Sequence, residues 1–92
     1  MAEPIADYII TDHARFEMER RGLPDNAVRR VLGAPEQRME VREGRVVLQA
    51  LVTEGEPPKA YLLRVFVDVD RKPAEVVTAY RTSKIVKYWR QP

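Results

Sequence analysis

Ninety-two residues are expected to form one domain, residues 1–92, large enough to fold alone on a modest core. With 45% hydrophobic and 33% charged residues the composition excludes disorder, and with no cysteine it excludes disulfides and thiolate metal sites. No apolar run approaches the roughly 18 residues of a membrane helix, so no membrane association is expected.

The net charge of +2 hides an asymmetry. All 14 acidic residues lie at or before Glu75, whereas Arg81, Lys84, Lys87 and Arg90 stand in a stretch with no acid. The tail therefore carries +4 and the remainder −2. A contact with nucleic-acid phosphates needs such a stripe, and a solvated helix face displays one equally well. Met1-Ala2-Glu3-Pro4-Ile5 has neither a basic region nor a long apolar stretch, so no secretory signal is expected. The lack of cysteine fits a cytoplasmic location.

Asp7-Tyr8-Ile9-Ile10 is β-prone and short, an edge strand or an extended lead-in. Thr11 or Asp12 can cap a helix over His13–Arg21, which Gly22 stops in the left-handed conformation. Ala14, Met18 and Arg21 share one side of it, and His13, Phe16, Glu17 and Arg20 another. After Leu23-Pro24, a second helix over Asn26–Leu32 points Val28, Val31 and Leu32 inward.

From Gln37 the apolar period becomes two. Strands are expected at Gln37–Arg42, Arg45–Val52, Ala60–Asp68 and Glu75–Thr82. Glu43-Gly44 reads as a hairpin turn, and Glu54–Pro58 and Asp70–Pro73 as loops. On the third strand Tyr61, Leu63, Val65 and Val67 face one way, and Leu62, Arg64, Phe66 and Asp68 the other. From Ser83 the tail reads as a helix, with Ile85, Val86 and Trp89 on one side and Lys84, Lys87 and Arg90 opposite. The expected class is α+β: two N-terminal helices on one face of a four-stranded, mainly antiparallel sheet, with a short C-terminal helix.

His13 is the only histidine and falls in the first turn of a helix, where the dipole favours the neutral, proton-accepting ring. An exposed or merely hydrogen-bonded histidine satisfies the same pattern. His13 and Glu17 stand at i and i+4, but two further ligands are missing, so no metal site is expected. Arg64 lies mid-strand between Leu62 and Phe66, where a charge needs a partner. Phosphate would serve, and so would Asp68 or an acid on the first helix. Tyr80 and Thr78 share one strand face, with Arg81 on the other. Tyr80 can bond a phosphate or stack on a base, or sit half-buried with its hydroxyl at the rim. Arg15, Arg20 and Arg21 add guanidinium groups from the first helix.

His13-Ala14-Arg15, followed by Arg21-Gly22-Leu23, resembles the opening motif of the DUF4258 family. Leu63-Arg64-Val65 and Val76-Val77-Thr78-Ala79-Tyr80 resemble its later strands, so the likeness runs from about Ile9 to Trp89. That family is grouped with the RelE/ParE- and BrnT-like toxins of toxin–antitoxin systems. The resemblance implies a RelE-like scaffold, metal-independent RNA cleavage and an antitoxin partner. The first helix departs from it, because Glu17 and Glu19 make it less basic than an RNA-gripping helix.

The expected activity is therefore that of an endoribonuclease without a cofactor. In it His13, Arg64, Tyr80 and Arg81 act on the phosphodiester, and Arg15, Arg21, Thr78, Lys84, Lys87 and Arg90 hold the nucleic acid. This requires that His13 and the Arg64, Tyr80 and Arg81 groups face a common cleft. The alternatives are a non-catalytic nucleic-acid-binding module, or an interaction subunit using Tyr88 and Trp89 as anchors for an antitoxin or a second copy.

Overall fold

The strands form where β-branched and aromatic residues alternate with polar ones, and they stop at glycine, proline and acidic turns. In the computed structural model, which describes residues 2–91, the order is β1 (Tyr8–Ile10), α1 (Asp12–Arg20), α2 (Asp25–Gly33), β2 (Gln37–Arg42), β3 (Arg45–Glu54), β4 (Lys59–Asp68), β5 (Ala74–Thr82) and α3 (Ile85–Tyr88). The sheet runs β1-β5-β4-β3-β2, with β1 parallel to β5 and every other pair antiparallel.

The α+β class is as expected, but the sheet has five strands and not four. Tyr8–Ile10 pairs with Ala74–Val76. Thr11 anchors this short strand, its backbone N–H and its hydroxyl both donating to the Val76 carbonyl at 3.2 and 2.9 Å. The same hydroxyl accepts from the Ala14 N–H and caps α1. At the other end of α1, Gly22 takes φ +68° and the Leu23 N–H reaches back to the Met18 carbonyl at 2.8 Å. This Schellman turn buries Leu23 and turns the chain into α2.

Ala14 and Met18 of α1, with Val28, Val31 and Leu32 of α2, meet Val46, Leu48 and Ala50 of β3, Leu63, Val65 and Val67 of β4, and Val76 and Ala79 of β5. These residues are the main core, and they fix the helical face of the sheet. Val47 and Leu62 are also buried but lie outside that core, on the face covered by the C-terminal tail.

The tail departs from its expected form. Only Ile85–Tyr88 is helical, and Trp89 is extended. The Gln37 side chain takes both the Arg90 N–H (3.0 Å) and the Arg90 carbonyl (2.6 Å), which removes that N–H from any further helical turn. Lys84, Lys87 and Arg90 therefore do not line one helix face.

Asp68, the one buried carboxylate among the described residues, accepts two bonds from the Arg45 guanidinium at 2.6 and 3.1 Å across the β3–β4 ladder. The Arg45 hydrogen bonds hold its pKa below the ordinary carboxylate value. A lowered folded value stabilises above the unfolded pKa and is lost as pH falls through the folded one. Arg45→Met should therefore cost about 1–2 kcal/mol at pH 7. In urea titrations from pH 7 to 2 the variant should lose less stability than the parent below about pH 4. Parallel acid profiles would show the pair to be unimportant. Leu48→Ala, in the middle of the core, should cost about 2–5 kcal/mol in the pH 7 titration.

Candidate functional site

A single row of side chains crosses the tail-covered face. Gln37 on β2 registers with Gln49 on β3, Gln49 with Arg64 on β4, and Arg64 with Tyr80 on β5. Each therefore points the same way, and hydrogen bonds connect the row end to end. Gln49 Nε2 donates to Gln37 Oε1 at 2.7 Å, Arg64 Nε donates to Gln49 Oε1 at 2.8 Å, and Arg64 Nη1 donates to Tyr80 Oη at 2.7 Å. Gln49 Nε2 also donates to the Tyr88 carbonyl at 3.1 Å and so holds the tail down.

Aromatic rings surround the Arg64 guanidinium. Its central carbon lies 4.3 Å from the Tyr88 ring centroid, 5.3 Å from Phe66 and 5.8 Å from Tyr80. Phe66 stacks on Tyr80 at 6.0 Å, and Tyr88 meets Tyr80 edge-on at 6.4 Å. Arg64 is half-buried, yet among the described residues no carboxylate lies within ion-pairing distance of it. Its expected partner Asp68 is held by Arg45 instead. Arg64 Nη2 makes no hydrogen bond and keeps some access to solvent, because no buried side-chain nitrogen or oxygen lacks a partner among the described residues. A cation fixed by neutral groups, with a free N–H edge, suits an anion.

Tyr88 adds a proton-handling group. The Lys87 ammonium, then the Tyr80 hydroxyl and the Arg64 charge, lower its phenol pKa against an opposing effect of desolvation. The Lys87 Nζ lies 5.3 Å from its ring centroid. The sequence does not mark Gln49 as a site group, and it marks Tyr88 only as an anchor for a partner. The available signal was a lone amide in the apolar run Val46–Val52, on the same face as Arg64.

The other expected site residues lie elsewhere. His13 is on α1, which packs on the opposite face of the sheet from Arg64; its side chain is 73% exposed and its ring is 4.0 Å from Glu17. The common cleft of His13 with Arg64, Tyr80 and Arg81 is not formed. Arg81 registers with Leu63 on the helical face, pairs with Glu54 at 2.9 Å and lies 5.8 Å from the Tyr61 ring. Arg15 is tied to Asp25 at 2.9 Å, which links α1 to α2. Arg21 wraps the β5 edge beyond the end of β1, donating to Thr78 Oγ1 at 3.2 Å and the Ala79 carbonyl at 3.0 Å, with Glu17 3.3 Å behind it. Lys84 and Arg90 have exposed side chains without partners among the described residues. The structure thus joins Arg64 to Tyr80 and Arg21 to Thr78, in two separate places.

No family model, curated protein or solved structure matches this chain. The chemistry of the site rests on its own side chains: guanidinium, ammonium, phenol and amide. Among the described residues no three His, Cys, Asp or Glu side chains converge as metal ligands.

Gln49→Leu tests whether the row holds the site together. It preserves bulk but leaves Arg64 Nε and Gln37 Oε1 short of a partner, at an expected cost of about 1–3 kcal/mol in urea denaturation. Trypsin should also cut faster after Lys84 and Lys87 as the tail lifts. Unchanged stability and unchanged cleavage would assign the row no structural role.

Proposed function

We propose that this protein acts on RNA through the tail-covered face of its sheet, as a toxin-like, metal-independent endoribonuclease. The observation that carries the reading is Arg64: a half-buried guanidinium ringed by three aromatic side chains, with no acidic partner among the described residues and no hydrogen bond at Nη2. Its charge is available to a phosphate, and the rings around it suit a stacked base. The resemblance to DUF4258 and the toxins grouped with it points the same way, and includes Arg64 and Tyr80 in its matching strands.

In this reading the ribose 2′-oxygen attacks the adjacent phosphorus, and the bond to the 5′-oxygen breaks. The products are a 2′,3′-cyclic phosphate and a free 5′-hydroxyl. Arg64 Nη2 donates to a non-bridging oxygen as negative charge grows on it. Tyr88 as its phenolate, the form that Lys87, Tyr80 and Arg64 favour, accepts the proton from the 2′-hydroxyl, and solvent water gives a proton to the departing 5′-oxygen. Lys87 holds the flanking phosphate, and Tyr80 fixes Arg64. His13, exposed on the other face, has no part in the step.

A second reading, RNA binding without cleavage, is favoured by one feature. The Tyr88 ring lies directly over Arg64, so a scissile phosphate reaches the guanidinium only from the Nη2 side.

The test is incubation of the full chain with a labelled 12-nucleotide RNA in EDTA, with mass analysis of the product ends. Arg64→Ala should slow cleavage about 10²–10³-fold and Tyr88→Phe at least about 10²-fold. His13→Ala should stay within about threefold of the parent. Loss of cleavage in His13→Ala with retention in Tyr88→Phe would refute the assignment. Binding that weakens steeply with salt and yields no products would establish the second reading.

A further inference from the structure

A separate feature lies at the far end of β3, with no residue in common with the Arg64 row. β3 continues to Glu54, but its pairing with β2 ends at Gln37 opposite Gln49. Leu51 to Glu54 therefore have β4 on one side only. The Leu51 N–H on the free side is met by a side chain: Glu36 Oε1 accepts it at 2.8 Å, where a strand carbonyl would otherwise stand. Thr53, two residues on, presents its N–H and C=O to the same side, and among the described residues nothing outside the ladders meets them.

Beside this edge is a hollow of about 390 Å³ between α2 and β3, mostly apolar, with Val31, Ala50 and Val52 in its wall. Arg29 and Arg30 flank it, both exposed. On α1 and at its C-cap each arginine has a carboxylate within 4.0 Å: Arg15 has Asp25, and Arg20 and Arg21 share Glu17. Arg29 and Arg30 have no such partner among the described residues. Glu36, the only acid lining the hollow among the described residues, is turned onto the Leu51 N–H.

We infer that this edge receives an extended, acidic segment of a partner protein, added as a strand antiparallel to β3 and extending the line of β2. Its backbone meets the Thr53 N–H and C=O, an apolar side chain enters the hollow, and its carboxylates meet Arg29 and Arg30. Main-chain bonds supply affinity in such an addition, and the hollow and the charges supply selectivity. An unpaired edge also invites a second copy, but the two free arginines favour an acidic partner.

The test uses the full ¹⁵N-labelled chain and a capped six-residue peptide alternating aspartate and valine. Saturable binding should slow exchange of the Thr53 amide at least about tenfold. Arg29→Glu with Arg30→Glu should weaken binding at least about tenfold, and a lysine–valine peptide should not bind. Thr53→Pro removes the edge donor without touching the β4 ladder, which uses the other side of β3. It should abolish binding while the spectrum stays dispersed. If that variant does not fold, a peptide N-methylated at alternate positions makes the same test. The inference is overturned by no binding at about 1 mM peptide, or by binding that leaves Thr53 unprotected. It is equally overturned by Thr53 protection arising from self-association without peptide, or by displacement of the peptide by a short oligoribonucleotide.

Discussion

The tail-covered face depends on one fully buried primary amide. Gln49 donates to Gln37 Oε1 and to the Tyr88 carbonyl, and accepts from Arg64 Nε. A buried amide without partners costs several kcal/mol, so a satisfied one admits few arrangements of its neighbours. The tail must cross the sheet where the Tyr88 carbonyl reaches Gln49, and the guanidinium must lie with Nε toward β3. A leucine at this position would fill the space without fixing either group. A glutamate would accept from Arg64 Nε but could not donate to the Tyr88 carbonyl, and it would neutralise the guanidinium. A neutral acceptor orients the cation and leaves its charge available.

The sheet separates the remaining polar chemistry into two systems. On the helical side and its edges, guanidinium groups meet carboxylates: Arg15 with Asp25, Arg21 with Glu17, Arg81 with Glu54. These exposed or half-exposed pairs join elements and contribute little each. On the tail side the cation meets amides, phenols and ring faces. Asp68 projects from the same face of β4 as Arg64, yet Arg45 opposite it across the β3–β4 ladder takes both its oxygens. That bidentate pair keeps the buried carboxylate satisfied and directs it away from Arg64.

Much of this was legible in the alternation of residues. Tyr61, Leu63, Val65 and Val67 on one side of β4, and Leu62, Arg64, Phe66 and Asp68 on the other, follow from period two, and the core respects that division. The helices, the Glu43-Gly44 hairpin and the order of the four longer strands follow from equally local signals. The fifth strand was ambiguous because three residues carry no period; its pairing rests on Thr11 meeting Val76, a contact 65 residues apart. The helical pattern of the tail runs past the true helix because nothing local to Trp89 or Arg90 signals capture by Gln37. Arg64 reads as a charge in need of a partner, but neither Asp68 nor an acid on the first helix meets it; its neighbours are Gln49 and Tyr80 on the adjacent strands. Counting outward from the β3–β4 loop, the register that joins Glu54 to Lys59 also joins Gln49 to Arg64 and Arg45 to Asp68. The rule was available, but its starting point needed the loop length.

Charge balance gives the final step. With 16 basic and 14 acidic residues the protein is almost neutral, and at physiological ionic strength charges beyond roughly 8 Å are largely screened. An anion approaching the surface therefore responds to local compensation and hardly at all to the total. Among the described residues, ion pairs engage Arg15, Arg20 and Arg21 of the first helix and its C-cap, Arg45, Arg71 and Arg81, so the number of basic residues overstates the basic surface on offer. Lys84, Lys87 and Arg90 follow the last acid, Glu75, in sequence, and the only carboxylate buried among the described residues, Asp68, is paired with Arg45. No acid follows Glu75 at the start of the last strand, and among the described residues no carboxylate pairs with Arg64, so an anion near the point where the tail crosses Arg64 would meet positive charge although the molecule as a whole offers little.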